Sequence, residues 1–347
     1  MRILIDTDPG MGSIGADPED AMAILYALGA PGVCLEGVTV VHGNVPVAHG
    51  HPNALHALRL AGREDIAVVA GASGPRDPTR RAFQAAWLAQ RSSLASRVPP
   101  LTPATSQEEP ISSKAAPVPP GNQASPAAET GNAAAEFLCE QALASPGEFT
   151  LVAIGPLTNV AAAIELHPDF AESLDRLVIM GGTARVAGNI TPAAEFNIWM
   201  DPDAAEVVLD SGAAITMVGL DVCHQTAFDR SGVDRLLASG TELATFAAES
   251  SAAWIEVREA VDHGGGALHL YDSLAVAAAI EPDLLTYEEA LVLVETGDGP
   301  AQGMTVTHLN PVLRQLLTGR EPNVRVALGV DSARFHSRFA ERVTDRL

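Results

Sequence analysis

The sequence predicts an α/β fold: an open, mostly parallel sheet flanked by helices. Two observations carry this. Short apolar runs rich in Val and Ile recur at residues 2–5, 35–41, 66–69, 149–154, 176–180 and 214–218, and each ends near Gly, Asp or Asn. Segments with helical spacing follow them, and strands alternating with helices form a parallel sheet covered on both faces. In such sheets ligands bind beyond the carboxyl ends of the strands. The polar residues to inspect are therefore those that follow the runs: Asp6 and Asp8, Asn44, Gly155 with Asn159, Gly181 and Gly182, and Asp221.

The chain has 347 residues and is 47% hydrophobic, enough to fill a sizeable core. We read residues 1–347 as one domain. Residues 98–128 break the alternation, with eight prolines among Ser, Thr and Gln. Such a composition buries too little apolar surface to offset its ordering entropy, so the expectation is a mobile inserted loop. Acidic residues outnumber basic ones by 43 to 21, a formal charge of −22, and such a surface repels phosphate backbones and anionic membranes. Nucleic acid and membrane partners are not expected. Only Met1 to Ile5 precede the first acidic residue, and no apolar run reaches membrane-spanning length, so the sequence reads as cytoplasmic. Cys34, Cys139 and Cys223 show no metal-binding or redox spacing and are expected as buried free thiols.

The first run ends in Asp6-Thr7-Asp8-Pro9-Gly10, and a glycine-rich stretch leads to Asp17-Pro18-Glu19-Asp20-Ala21. Asp17 suits a helix N-cap, Pro18 the first helical position, and Glu19 and Asp20 the positive end of the helix dipole. Local helix chemistry does not account for Asp6 and Asp8. Carboxylates this close repel by on the order of 1 kcal/mol even when well solvated, and a hard divalent cation would relieve the conflict. A DxD strand end also opens the haloacid-dehalogenase phosphatases, which need a lysine at the phosphate. Here the only lysine is Lys114, inside the Pro-rich segment.

More specific motifs lie downstream: Met180-Gly181-Gly182, then Gly188-Asn189-Ile190-Thr191-Pro192-Ala193-Ala194-Glu195-Phe196-Asn197, then Asp201-Pro202-Asp203. Together with the DTDPG opening, Gly155-Pro156-Leu157-Thr158-Asn159 and Tyr271-Asp272-Ser273-Leu274-Ala275, they closely resemble the nucleoside hydrolase (inosine-uridine nucleoside N-ribohydrolase) family. The resemblance implies a Rossmann-like core and hydrolysis of a ribonucleoside to ribose and free base. It implies one Ca²⁺ held by Asp8, Asp20, Asp272 and the carbonyl of Ile154, all hard oxygen donors. Asp8 would be the general base for a metal-activated water. Asn44, Asn189, Glu195 and Asn197 match the family's ribose contacts, with Glu195 and Asn197 expected on one side of an extended segment. Asp201 reads as a helix N-cap. A homodimer or homotetramer is also implied.

The chain departs from the family pattern in three places. Several extra residues separate Gly10 from Asp17, and the first of the paired acids is Glu19, which is assigned to the substrate, with Asp17 as the alternative contact and Asp20 kept as ligand. No HGxxGLG loop follows Gly71; residues 82–97 and the Pro-rich segment take its place. Where many members have His before the last metal-binding Asp, this chain has Tyr271, read here as a substrate contact. His269 is expected as a partly buried residue on a helical segment, and His42, His49, His51 and His56 as surface or helix residues. Two alternatives stay open: a relative that binds ribose or a nucleoside without turnover, and a metal-dependent phosphatase.

Overall fold

The computed structural model describes residues 1–10, 18–95, 132–261 and 267–344. The Pro-rich segment 98–128, Lys114 and the cap read at Asp17 lie outside the described residues.

The main sheet contains nine strands: β1 (Arg2–Thr7), β2 (Cys34–Val40), β3 (Ala67–Ala70), β4 (Phe149–Ala153), β5 (Arg176–Met180), β6 (Ile215–Val218), β9 (Leu285–Val294), β10 (Thr305–His308) and β11 (Val324–Val330). The short strands β7 (Ala227–Phe228) and β8 (Leu268–His269) pair separately as an antiparallel ribbon. The order across the main sheet is β10-β9-β11-β6-β5-β4-β1-β2-β3. From β3 to β11 every neighbouring pair is parallel, while β9 runs antiparallel to β11 and to β10. The sheet is thus mostly parallel, as its apolar runs predict.

Alternation along each strand sends successive side chains to opposite faces. Ile3, Ile5, Val38, Val40, Val152, Ile154 and Val178 join one buried cluster with the helices Glu19–Leu28, Val47–Leu60, Tyr271–Ile280 and Ser332–Thr344. Leu4, Leu151, Ala153, Leu177 and Ile179 join the other, with the helices Ala133–Ala144, Thr158–Leu166 and Pro202–Leu209. Burial on both faces explains why these strands read as continuous apolar runs.

Strand order reverses at β1, which has β2 on one side and β4 on the other. In the register, Thr7 lies beside Val40, Asp6 beside Ala153, Ala153 beside Ile179, and Met180 beside Val218. The residues after these strands therefore emerge along one edge, at the switch point where open α/β sheets bind ligands.

The C-terminal helix Ser332–Thr344 closes one face through aromatic packing. Phe339 is fully buried, with its ring centroid 5.6 Å from Phe228, 6.3 Å from Tyr26 and 6.4 Å from Phe335. Among the described residues no helix is long and apolar enough to cross a membrane. Phe339→Ala should cost about 3–5 kcal/mol of stability, because it removes a ring whose neighbours belong to several elements that cannot all collapse into the gap. Denaturant unfolding measures this, and a loss below about 1 kcal/mol would show that the helix is not part of the cooperative core.

Candidate active site

The end of β1 buries a group of acids. Asp6, Asp8 and Asp20 are each 0–1% exposed. Asp6 Oδ1 accepts hydrogen bonds from Thr39 Oγ1 at 2.5 Å and Asn159 Nδ2 at 2.8 Å. These tie the ends of β1 and β2 to the helix that follows β4. Asp20 Oδ1 accepts from Thr7 Oγ1 at 2.5 Å and from the Asp8 amide at 3.1 Å. Asp8 Oδ2 accepts from the Asn44 amide at 2.6 Å, and Asn44 Nδ2 reaches Asp20 Oδ2 at 3.3 Å. Asp6 Oδ2 and Asp8 Oδ1 are buried without a hydrogen-bond partner among the described residues. Burial pushes Asp6 up to about 7 despite its two donors. Burial first, and then the charge of Asp20, raises Asp8 well above the usual carboxylate range; burial also raises Asp20.

The turn after β2, His42-Gly43-Asn44, lies against this group. A Cβ on Gly43 would fall 1.9 Å from Asp8 Oδ2, so only glycine lets the turn come close enough for the Asn44 amide to bind Asp8. His42 is not the surface or helix residue expected from sequence. It is fully buried, with Nε2 2.9 Å from Thr158 Oγ1 and Nδ1 3.0 Å from Gln84 Nε2. Neither a local pattern nor hydrophobic spacing marks it, since its partners are 42 and 116 residues away.

The Gly-rich loop after β5 brings in Glu195 and Asn197. They do not sit on an extended segment as the spacing suggested: the short helix Phe196–Met200 starts there and Glu195 is its N-cap. The Glu195 carboxylate is 2% exposed and accepts from the amides of Asn197 at 2.9 Å, Gly182 at 3.0 Å and Ile198 at 3.2 Å. Burial raises it to about 6 against the pull of those amides. Asn197 Nδ2 donates to the Ile154 carbonyl at 3.0 Å and the Met180 carbonyl at 3.2 Å, bridging the ends of β4 and β5. Asn189 is exposed, and its Oδ1 accepts from the Phe196 amide at 2.9 Å. Asp201 caps the next helix through the Ala204 amide at 3.2 Å, the role read for it from sequence.

Asp272 enters from the start of the helix Tyr271–Ile280 and is 6% exposed. Glu19, expected at the sugar, has another set of partners. Its Oε2 accepts from the amides of Asp272 at 2.7 Å and Ser273 at 2.9 Å, and its Oε1 from Ser273 Oγ at 2.8 Å. A carboxylate on the free N–H groups of a helix N-terminus satisfies both charge and hydrogen bonding, so Glu19 couples the first acidic segment to the last. Burial, with the charges of Asp272, Glu195, Glu19 and Asp221, holds the Cys223 thiol well above its usual range, which marks how closely acids from four segments gather there. Cys139 is also a buried thiol, whereas Cys34 is exposed. The Tyr271 ring packs 5.7 Å from His269 and 6.4 Å from His224. His269 lies on β8, not on a helix.

The predicted residues thus gather at one sheet edge, but among the described residues no three His, Cys, Asp or Glu side chains form a group that could hold a metal ion. Asp8 and Asp20 adjoin; Asp272 does not complete a three-carboxylate set with them. The donor chemistry at Asp8 and Asp20 does fit a hard cation: two buried acids of like charge, one with an oxygen that has no partner among the described residues.

Residues 3–337 match the model of the inosine-uridine preferring nucleoside hydrolase family. This chain belongs to that family. It is a hydrolase acting on N-glycosyl compounds. It is 35% identical over 335 residues to the probable uridine nucleosidase 2 of Arabidopsis thaliana, covering 95% of this chain and 94% of the relative. It is 35% identical over 343 residues to the pyrimidine-specific ribonucleoside hydrolase RihA of Citrobacter koseri, covering 99% and 98%. Among solved structures, the purine-preferring ribonucleoside hydrolase of Gardnerella vaginalis superposes with a TM-score of 0.80 at 28% identity, covering 99% of this chain and 98% of that one. The plant nucleoside hydrolase PpNRh1 does so with a TM-score of 0.77 at 31% identity and the same coverage.

Two outcomes follow from the geometry. Gly43→Ala should lower turnover by about 10²-fold with the fold intact, since the added methyl displaces either Asp8 or the Asn44 amide; near-normal activity would show that the close approach is dispensable. The second concerns pH. Asp6 holds its proton more tightly folded than unfolded, so its contribution to stability is fully present below its unfolded value of 3.8 and is lost as pH rises through about 7. In chelator, Asp6→Asn should therefore gain thermal stability relative to the parent as pH rises across that window, and a constant difference in unfolding midpoint would contradict the assignment.

Proposed function

We propose that this chain hydrolyses the N-glycosidic bond of a ribonucleoside to ribose and free base, with Asp8 as the general base and Ca²⁺ as its cofactor. The reading rests chiefly on Asp8 Oδ1, a buried carboxylate oxygen with no partner among the described residues, at the switch point of the sheet. Asp8 and Asp20, which adjoin, would hold the cation, and Asp272 and the Ile154 carbonyl, the further ligands that the family resemblance implies, would have to close on it when it binds. Bound there, it would supply Lewis-acid charge that makes water a better nucleophile at neutral pH.

The chain's own groups supply the rest. Asp8 accepts the proton of the attacking water at Oδ1, while the Asn44 amide holds its other oxygen. A base with a raised pKa removes a proton more effectively near neutral pH than an ordinary surface aspartate. On the sugar side, Asn44, Asn189 and Asn197 offer amide groups to hydroxyls, and Tyr271 and Glu19 border the same edge. The Glu195 carboxylate, fixed by three backbone amides, faces the ribose as a preorganised negative charge. It stabilises the positive charge that develops on an oxocarbenium-like sugar as the bond to the base breaks. The relatives' names span uridine, pyrimidine and purine nucleosides, so the substrate class shared by all of them is the ribonucleoside.

Incubation with a panel of purine and pyrimidine ribonucleosides should release reducing sugar, and a chelator should suppress the release until Ca²⁺ is restored. No sugar from any nucleoside in the presence of Ca²⁺ would leave only a binding role. Asp8→Asn should preserve the fold and lower kcat by about 10²–10⁴-fold, the range for loss of a general base. Wild-type turnover in that variant would remove Asp8 from the chemistry.

A further inference from the structure

Beneath the site a buried chain of side chains runs from the helix Pro78–Ala95 to the capping residue of the helix Pro202–Leu209. Gln84 Nε2 lies 3.0 Å from His42 Nδ1, His42 Nε2 2.9 Å from Thr158 Oγ1, and Thr158 Oγ1 2.7 Å from Asp201 Oδ2. The four side chains belong to residues 6%, 0%, 5% and 1% exposed, so each polar atom depends on its neighbour in the chain.

The donor inventory gives this chain a direction. Asp201 Oδ1 accepts from the Ala204 amide and Oδ2 from the Arg76 amide at 3.0 Å; burial raises its pKa, while the Thr158 hydroxyl, these two amides and the Arg76 charge all favour the ionised, accepting form. An ionised carboxylate only accepts, so the single hydroxyl hydrogen of Thr158 goes to Asp201. Thr158 Oγ1 can then meet His42 Nε2 only as an acceptor, and Nε2 carries the ring hydrogen. Nδ1 is left as an acceptor, which matches the Gln84 amide nitrogen facing it. Burial, and then the positive charge of Arg81, hold the His42 pKa down to about 3, so the ring is neutral.

We propose that the carboxylate of Asp201, acting through Thr158, locks His42 as the neutral Nε2–H tautomer, and that His42 is thereby a positioning residue for Asp8. The ring anchors one end of the turn His42-Gly43-Asn44, and the Asn44 amide at the other end holds Asp8 Oδ2 at 2.6 Å. The His42 amide donates to the Ala72 carbonyl at 3.0 Å, so the backbone beneath the ring is fixed as well. Gln84 brings the helix Pro78–Ala95 into the same chain. The inference rests on the reading of Asp8 as the general base.

Imidazole nitrogen NMR on the full chain, with ¹⁵N-labelled histidine, tests the tautomer independently of turnover. His42 should show the neutral Nε2–H signature across the neutral pH range. An Nδ1–H tautomer or an imidazolium signature would overturn the inference, including in a protein that released no sugar, where the reading of Asp8 itself would have failed separately. In the active enzyme, His42→Leu and the isosteric Thr158→Val should each lower kcat by about 10–100-fold, more than they raise KM, because they shift the base and, of the sugar contacts, only Asn44. The double variant should be no worse than the poorer single one, since both cut one chain. His42→Gln, which keeps a donor near the Nε2 position, should recover most of the rate. Parent-like kcat in Thr158→Val, or rate losses that simply add, would reduce His42 to a packing residue.

Discussion

The burial of like charges where β1 leaves the sheet sets the terms for the structure around it. Asp6, Asp8 and Asp20 are all buried where β1 ends. At an effective dielectric of about 20, two unit charges about 4 Å apart repel by roughly 4 kcal/mol. A hydrogen bond to a charged group returns about 1.5–3 kcal/mol, so each ionised acid needs about two good donors. Thr39 and Asn159 serve Asp6; Thr7, the Asp8 amide and Asn44 serve Asp20. Among the described residues Asp8 has one donor, the Asn44 amide. The least compensated acid is thus the one proposed to take a proton from water.

Carboxylates elsewhere at the edge are fixed by another device. Glu195 and Glu19 both bind free backbone N–H groups at helix starts, Glu195 at its own helix and Glu19 at the helix Tyr271–Ile280. A helix N-terminus offers unsatisfied donors and a partial positive charge in a rigid arrangement. It can therefore hold an acid in place without a basic side chain, as the proposed stabilisation of a cationic sugar requires. The sheet register completes the assembly by ending β1, β2, β4 and β5 along one line. Side chains on different strands then meet without long loops to order.

Family membership and local departures from its pattern are compatible because they act on different parts of the molecule. The parallel sheet, the acidic first strand and the motifs after β4 and β5 follow the family pattern. The helix Pro78–Ala95 covers part of the stretch that stands in place of the family's HGxxGLG loop, and it reaches the site through Gln84 and His42. Likewise Tyr271, in place of an imidazole, is packed against two imidazoles from the β7–β8 ribbon and the turn before it. These departures lie beside the group around Asp8, whose hydrogen bonds to Asn44 and Asp20 do not involve them.

The sequence by itself determined the α/β class, because continuous Val- and Ile-rich runs arise where strands are covered on both faces. It also pointed to the members of the proposed site, since the motifs around Asp8, Glu195 and Asp272 combine residue types whose chemistry is legible at short range. Tertiary structure alone decided how several of them are used. Glu19 reads as a sugar contact until its carboxylate is found on amides 253 residues away. Glu195 and Asn197 read as an extended pair until the helix Phe196–Met200 is seen to begin between them. His42 reads as a surface residue because both its partners come from distant segments. Local patterns report the groups a residue offers. Which groups it meets depends on strand register and helix docking, and those are set by the whole core.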